Sequence, residues 1–184
     1  MKHLIIRTLL ATALALPIYA ANANEIGISP QDTQTLIKQS ENVLFIDVRD
    51  PVEIMFIGFT DEVDLNIPYL MVDRSQWDTK KKRFRLYKNP DFISQIKAAL
   101  TAQGLDESAT IITMCRSGSE RGLPSAQFLQ ENGFKNARYV INGFQGAKVK
   151  EGEKSGLRIK NGWQNAGLPW KAKPNPTKIY RTDR

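Results

Sequence analysis

Chemically reactive residues are scarce in this sequence. Its 184 residues include one cysteine, Cys115, and one histidine, His3. A lone cysteine excludes any disulfide within the chain. Long apolar runs are scarce too. The longest, Thr8 to Leu16, stops at Pro17, well short of the about 20 apolar residues that a membrane-spanning helix needs. Lys2 and Arg7 precede that run, and Ala21-Asn22-Ala23 follows it. A positive start, a short apolar middle and small residues at the end are the parts of a secretory signal peptide. Cleavage after Ala23 is therefore expected in preference to a membrane anchor, with no stable membrane insertion afterwards and a periplasmic or secreted location.

Cleavage would leave about 161 residues, a length suited to one domain with a full core. It would remove His3, and with it Ser-His-Asp catalysis, Cys-His catalysis and any histidine metal site. It would also remove Lys2 and Arg7. The 26 Lys and Arg of the whole chain then become 24 against 19 Asp and Glu, a net charge of +5.

What remains reads as alternating helices and buried strands. Ser29-Pro30 has the form of an N-cap followed by proline at the first helical position, predicting a helix to about Gln39. Val43 to Ile46 and Thr110 to Met114 are short β-favouring runs, and Val63 to Ile67 alternates up to Pro68. Asn89-Pro90-Asp91 opens a predicted helix with Phe92, Ile93, Ile96 and Leu100 on one face and Gly104 as its stop. A further helix over Ser125–Asn132, with Phe128 and Leu129 inward, precedes a strand over Ala137–Ile141. Strands separated by helices imply parallel pairing with right-handed crossovers, hence a three-layer α/β domain.

Two stretches fit this pattern poorly. Residues 71–89 place Lys80-Lys81-Lys82-Arg83 and Arg85 among Trp77, Phe84 and Tyr87. Such a run is able to touch nucleic acid or anionic lipid. An export signal argues against nucleic acid, and a solvated insertion is the commoner outcome. The tail from Lys171, with Pro174 and Pro176, reads as an extended arm or disordered end.

Chemistry concentrates between Thr110 and Gly122. A buried strand there delivers Cys115 to the C-terminal edge of the sheet, where open α/β folds bind ligands. A lone cysteine is either a small buried hydrophobe or a reactive thiol, and the neighbours favour the second. Arg116, Ser117, Gly118, Ser119, Glu120 and Arg121 lead into a helix. Their backbone N–H groups are able to form an anion nest at its N-terminus. Those amides and the two guanidinium groups favour thiolate over thiol, and arginines hold oxyanions bidentately. Nucleophile and anion donors thus converge without histidine.

Cys115-Arg116-Ser117-Gly118, after a strand and before a helix, resembles the active loop of rhodanese-like sulfurtransferases. Ile46-Asp47-Val48-Arg49 with Glu53 and Gly58 is similar to the family's Asp-x-Arg segment, and Asp64-Leu65-Asn66-Ile67-Pro68 to its Asn-Ile-Pro strand. Gly133-Phe134, Tyr139-Val140 and Gly143-Phe144 are similar to its closing strand and glycine turn. Together these motifs cover about residues 29–147. They imply a rhodanese-like domain over 24–147, with the basic insertion about 71–89 inside it. Residues 148–184, with Gly162-Trp163 and Leu168-Pro169-Trp170, resemble a C-terminal extension of exported members.

The chain departs from the family in two places. Gly58-Phe59-Thr60 stands where the family has Gly-His-Ile. The step from Cys115 to Gly133 is one residue longer than in common single-domain members, and Arg121 falls six positions after Cys115. That Cys-x5-Arg spacing, with Ser119-Glu120-Arg121, is similar to the loop of rhodanese-fold cell-cycle phosphatases. The extra residue either widens the loop or lies in the turn Gly122-Leu123-Pro124.

The resemblance implies sulfur transfer. Thiolate Cys115 would take sulfur from thiosulfate or a related small anionic donor, hold it as a persulfide on the amides of residues 116–121, and pass it to a thiol or cyanide acceptor. Arg116 and Arg121 would guide the anion, and Asp47 and Arg49 would brace the strand ends as an ion pair. No cofactor and no metal are needed. The alternatives are a phosphatase or arsenate reductase on the same fold, disfavoured by Met114 where tyrosine phosphatases place histidine, and a non-enzymatic persulfide carrier or binding module. An acidic protein partner for the basic insertion is compatible with all three; nucleic acid is not expected.

Overall fold

The computed structural model describes residues 26–183. The expected signal peptide, residues 1–23, lies outside the described residues. Strand β1 (Gly27–Ile28) leads to α1 (Pro30–Gln39), β2 (Val43–Asp47), α2 (Pro51–Ile57) and β3 (Leu65–Asn66). Then follow β4 (Leu70–Asp78), β5 (Arg83–Lys88), α3 (Phe92–Ala102), β6 (Thr110–Met114), α4 (Gly122–Glu131) and β7 (Arg138–Val140). Five strands form one parallel sheet in the order β1-β7-β6-β2-β3. In the centre, β2 and β6 run in register from Val43 beside Thr110 to Asp47 beside Met114.

Strand alternation divides the core into two layers. Leu44, Ile46 and Ile111 face Phe92, Ile96 and Leu100 of α3 and Leu129 of α4. Val43, Phe45, Ile112 and Met114 face the other way, toward Leu36 and Ile37 of α1 and Ile54 of α2. The fold is the expected three-layer α/β arrangement, with helices on both faces of the sheet.

Local signals account for the helix starts. The Ser29 hydroxyl accepts from the Asp32 N–H at 3.0 Å, with Pro30 opening α1. Asp50 caps α2 in the same way, accepting from Val52 at 2.9 Å. Gly104 follows α3 with φ of +69°, as a helix-stopping glycine does. Helix α4 starts at Gly122, three residues earlier than its sequence pattern suggests: Ser125 N–H already donates to the Arg121 carbonyl at 2.8 Å, and Thr113 Oγ1 and Ser125 Oγ both donate to the Gly122 carbonyl.

The basic insertion is an antiparallel hairpin, β4 with β5, forming a sheet of its own. The tail is an arm packed along the body. Lys171 pairs its backbone with Phe59 in both directions at 2.8 Å, Lys178 donates to the Asp61 and Val63 carbonyls, and Ile179 is buried. Between these, Trp163 is wholly buried against Phe45, ring centroids 5.4 Å apart. Residues beyond 148 therefore contribute to the core on the α1 and α2 face.

Candidate active loop at Cys115

Strand β6 ends at Met114, whose carbonyl accepts from Val48 of the neighbouring segment at 2.9 Å. Cys115 is the next residue. It is fully buried, and its sulfur packs against the first residue of α4: a Cβ built on Gly122 would lie 3.5 Å from Sγ. The sulfur thus sits beside the N-terminus of a ten-residue helix, the end that carries partial positive charge.

The loop is held from behind by its carbonyl groups. Phe144 N–H donates to the Cys115 carbonyl at 2.8 Å, and Gln145 and Gly146 both donate to that of Arg116. Leu123 N–H donates to Gly118 at 2.8 Å, and Ser125 N–H to Arg121 at 2.8 Å. The N–H groups of residues 116–121 donate to no protein group among the described residues, and remain available to a bound anion. Gly118 has φ of +80°, and a Cβ there would lie 2.9 Å from the Asn142 nitrogen. Glycine is therefore required on both counts. Gly143 presses its Cα face on the Cys115 carbonyl so closely that no side chain fits.

Each predicted site residue has a definite place. Arg121 caps α4 and is almost wholly buried. Its Nη1 and Nη2 donate to the two carboxylate oxygens of Glu53 on α2, at 2.5 and 3.2 Å. Its Nε is buried with no hydrogen-bond partner among the described residues. Burial by itself disfavours the guanidinium charge. The charge and hydrogen bonds of Glu53 outweigh it, with smaller help from Cys115 and Glu120, and hold Arg121 above its ordinary value.

Arg116 is half-buried and donates from Nε to Gln145 Oε1 at 2.9 Å. Burial, then the nearby Arg158, lowers its pKa from the ordinary value. Ser117 and Ser119 share a hydroxyl contact of 3.2 Å. Glu120 turns outward to Arg83 of β5, 2.6 Å away. The bond from Arg83, opposed by partial burial, holds its carboxyl below the usual range.

Asp47 and Arg49 lie under the loop, both wholly buried. Arg49 Nε donates to Asp47 at 2.9 and 3.0 Å, Arg49 Nη2 pairs with Asp47 Oδ2, and the guanidinium also reaches the Gly58 carbonyl at 3.1 Å. The Phe144 ring covers it at 4.3 Å. Asn66 Nδ2 ties the carbonyls of Asp47 and Arg49 at 2.8 Å each. No cluster of histidine, cysteine, aspartate or glutamate suited to a metal ion occurs among the described residues.

Sequence reasoning missed three participants. Glu53 was legible only as part of a motif, not as the partner of Arg121. Arg83 was hidden in a run of basic residues, and Gln145 carried no signal at all. Gly122, Leu123 and Pro124 form the first turn of α4, so six residues, 116–121, separate Cys115 from the helix.

Among curated proteins no match is found. Solved structures do match. A protein from M. tuberculosis, known from its crystal structure, is 24% identical with a TM-score of 0.59, covering 79% of this chain and 96% of that one. The polysulfide-sulfur transferase homodimer of Wolinella succinogenes is 22% identical with a TM-score of 0.45, covering 83% of this chain and 82% of its own. The family model for the rhodanese-like domain matches residues 29–150. With the parallel sheet, the loop after β6 and that match in agreement, the chain belongs to the rhodanese-like domain family.

Proposed function

We propose that the protein is a sulfurtransferase that carries sulfane sulfur as a persulfide on Cys115. The observation that supports this best is the Nε–H of Arg121, buried with no hydrogen-bond partner among the described residues at the helix end of the Cys115 loop. A buried donor left unpaired costs about 1–3 kcal/mol, a cost that a bound anion would remove. The amides of residues 116–121, which donate to no protein group among the described residues, add further positive character to the loop that follows Cys115.

In the first half of the cycle, the Cys115 thiolate attacks the outer sulfur of thiosulfate. The new S–S bond forms as the bond to the sulfonate group breaks, and sulfite leaves with the electron pair. In the second half, cyanide or a thiolate attacks the terminal sulfur, and Cys115 departs as thiolate. Arg121, positioned by Glu53, steadies the anionic donor and the leaving sulfite. Glu53 is a positioning residue, as is the Asp47–Arg49 pair beneath the loop. The chemistry takes place outside the cytoplasm, after removal of residues 1–23.

The six-residue loop supports a second reading, since a wider cradle suits a tetrahedral oxyanion such as phosphate or arsenate. Steady-state kinetics separates the two. Thiosulfate and cyanide should give thiocyanate and sulfite with parallel double-reciprocal lines, the pattern of a covalent two-step cycle. Absence of thiocyanate, together with hydrolysis of an aryl phosphate that Cys115→Ser abolishes, would establish the second reading instead.

A further inference from the structure

Hairpin β4–β5 is larger and more charged than a small anion requires. Its nine-residue strand β4 extends roughly 30 Å at about 3.3 Å per residue. Lys80, Lys81 and Lys82 crowd its turn, and Arg74 and Arg85 stand exposed along it, against only Asp73 and Asp78. Beside this charge, Trp77 and Phe84 are cross-strand neighbours in edge-to-face contact, centroids 5.4 Å apart. They are 54% and 45% exposed, so an aromatic face lies open beside the basic turn. Arg83, on the same strand as Phe84, grips Glu120 of the Cys115 loop at 2.6 Å. The hairpin is thereby joined to the Cys115 loop at Arg83.

We propose that the hairpin docks an acidic protein whose own thiol receives sulfur from Cys115. The proposal rests on the sulfurtransferase reading above and names its acceptor class. The acceptor thiolate attacks the terminal sulfur of the Cys115 persulfide. The bond from that sulfur to Cys115 breaks, Cys115 leaves as thiolate, and the proton on the transferred sulfur travels with it, giving the acceptor persulfide. Exposed lysines and arginines recognise carboxylates on the partner and speed its approach, while Trp77 and Phe84 supply the aromatic anchor that interface centres favour. A second copy of this chain is a poor occupant, because two hairpins of like charge repel. A lipid surface would leave the Arg83–Glu120 link to the Cys115 loop without a role, and the vesicle arm of the test below distinguishes it.

The test uses the mature chain and a fluorescein-labelled glutamate-rich peptide containing one cysteine, with a glutamine-for-glutamate control. Anisotropy should show the acidic peptide binding at least about tenfold more tightly than the control, with the preference fading in high salt as surface electrostatics do. The preference should vanish in Lys80→Glu/Lys81→Glu/Lys82→Glu and weaken in Trp77→Ser/Phe84→Ser, with cyanide turnover unchanged in both and both folded by far-UV circular dichroism. Sulfur loaded from thiosulfate should then appear on the peptide cysteine. Equal binding of the two peptides, or a preference that survives the triple reversal, overturns the proposal whether or not Cys115 carries sulfur. So does hairpin-dependent binding to phosphatidylglycerol vesicles without preference for the acidic peptide, or hairpin-dependent dimerisation. Absence of cyanide turnover in the unaltered protein would instead overturn the sulfurtransferase reading.

Discussion

Glu53 on α2 and Arg121 at the end of the Cys115 loop, 68 residues apart in sequence, meet in a two-pronged ion pair of 2.5 and 3.2 Å. The pair joins the helix after β2 to the helix after β6 across the C-terminal edge of the sheet. It compensates the charge of a nearly buried guanidinium and fixes its orientation at the helix end of the loop. Under the proposed cycle, Glu53 would act on Cys115 chemistry through Arg121.

Removal of that carboxylate should be felt twice. Glu53→Gln leaves Arg121 without its counter-charge. Because Glu53 is partly open to solvent, we expect a loss of roughly 1–3 kcal/mol in urea unfolding, less than for a fully buried pair. Thiosulfate turnover should fall at least about tenfold, more in kcat/KM than stability alone explains, while Glu53→Asp recovers part of it. Unchanged kinetics in Glu53→Gln would show that the pair does not position Arg121 for catalysis.

The pair beneath the loop should matter more for folding. Asp47→Asn uncovers the charge of Arg49 in a dry core, a change that costs about 3–5 kcal/mol where a buried pair loses one member. Against a total stability of about 5–15 kcal/mol, the variant should melt far earlier. Asp47→Leu/Arg49→Met should recover much of the loss, because replacing both charges removes the uncompensated one. A single variant as stable as the parent would contradict the buried ion pair.

Backbone geometry sets a third expectation. Gly118→Ala places a methyl group 2.9 Å from the Asn142 nitrogen, at a φ of +80°. Left-handed backbone costs a residue with a side chain about 1–2 kcal/mol even without the clash. Far-UV circular dichroism should hardly change, whereas persulfide loading should drop at least about tenfold. Normal loading would mean that the loop tolerates another path between Cys115 and α4.

Contact between loop and hairpin should register in the pH dependence of stability. Arg83 lowers the Glu120 pKa in the folded protein, so the carboxylate favours the folded state above its unfolded value of about 4.3. That contribution is lost as pH falls through the lower folded value. For so exposed a pair the size is at most about 1 kcal/mol, smaller in salt. The stability difference between parent and Glu120→Gln should be present at neutral pH and close in acid. A difference that grows on acidification would have the wrong sign.

Most of the framework was legible because it rests on local chemistry. The apolar runs at 43–46 and 110–114 became the adjacent central strands, and Ser29-Pro30 became the start of α1. Asp47 and Arg49, read as an ion pair at a strand end, do form one. Less legible were elements whose reason lies elsewhere in the fold. Helix α2 has seven residues, and its Met55 and Phe56 face solvent, so it shows no amphipathic period. The hairpin's alternation is masked by its basic residues and interrupted by an irregularity between Asp73 and Trp77. Glu53 and Arg83 acquire their roles only through partners distant in sequence, and Trp163 enters the core from a segment with no regular secondary structure.

The central claim is that Cys115 carries sulfur. Intact-protein mass spectrometry of the mature chain after incubation with thiosulfate tests it directly. The expected result is the gain of one sulfur atom, mapped to the peptide containing Cys115, discharged by cyanide and absent in Cys115→Ser. An unmodified mass under conditions where the protein is folded, or the same gain in Cys115→Ser, would contradict it.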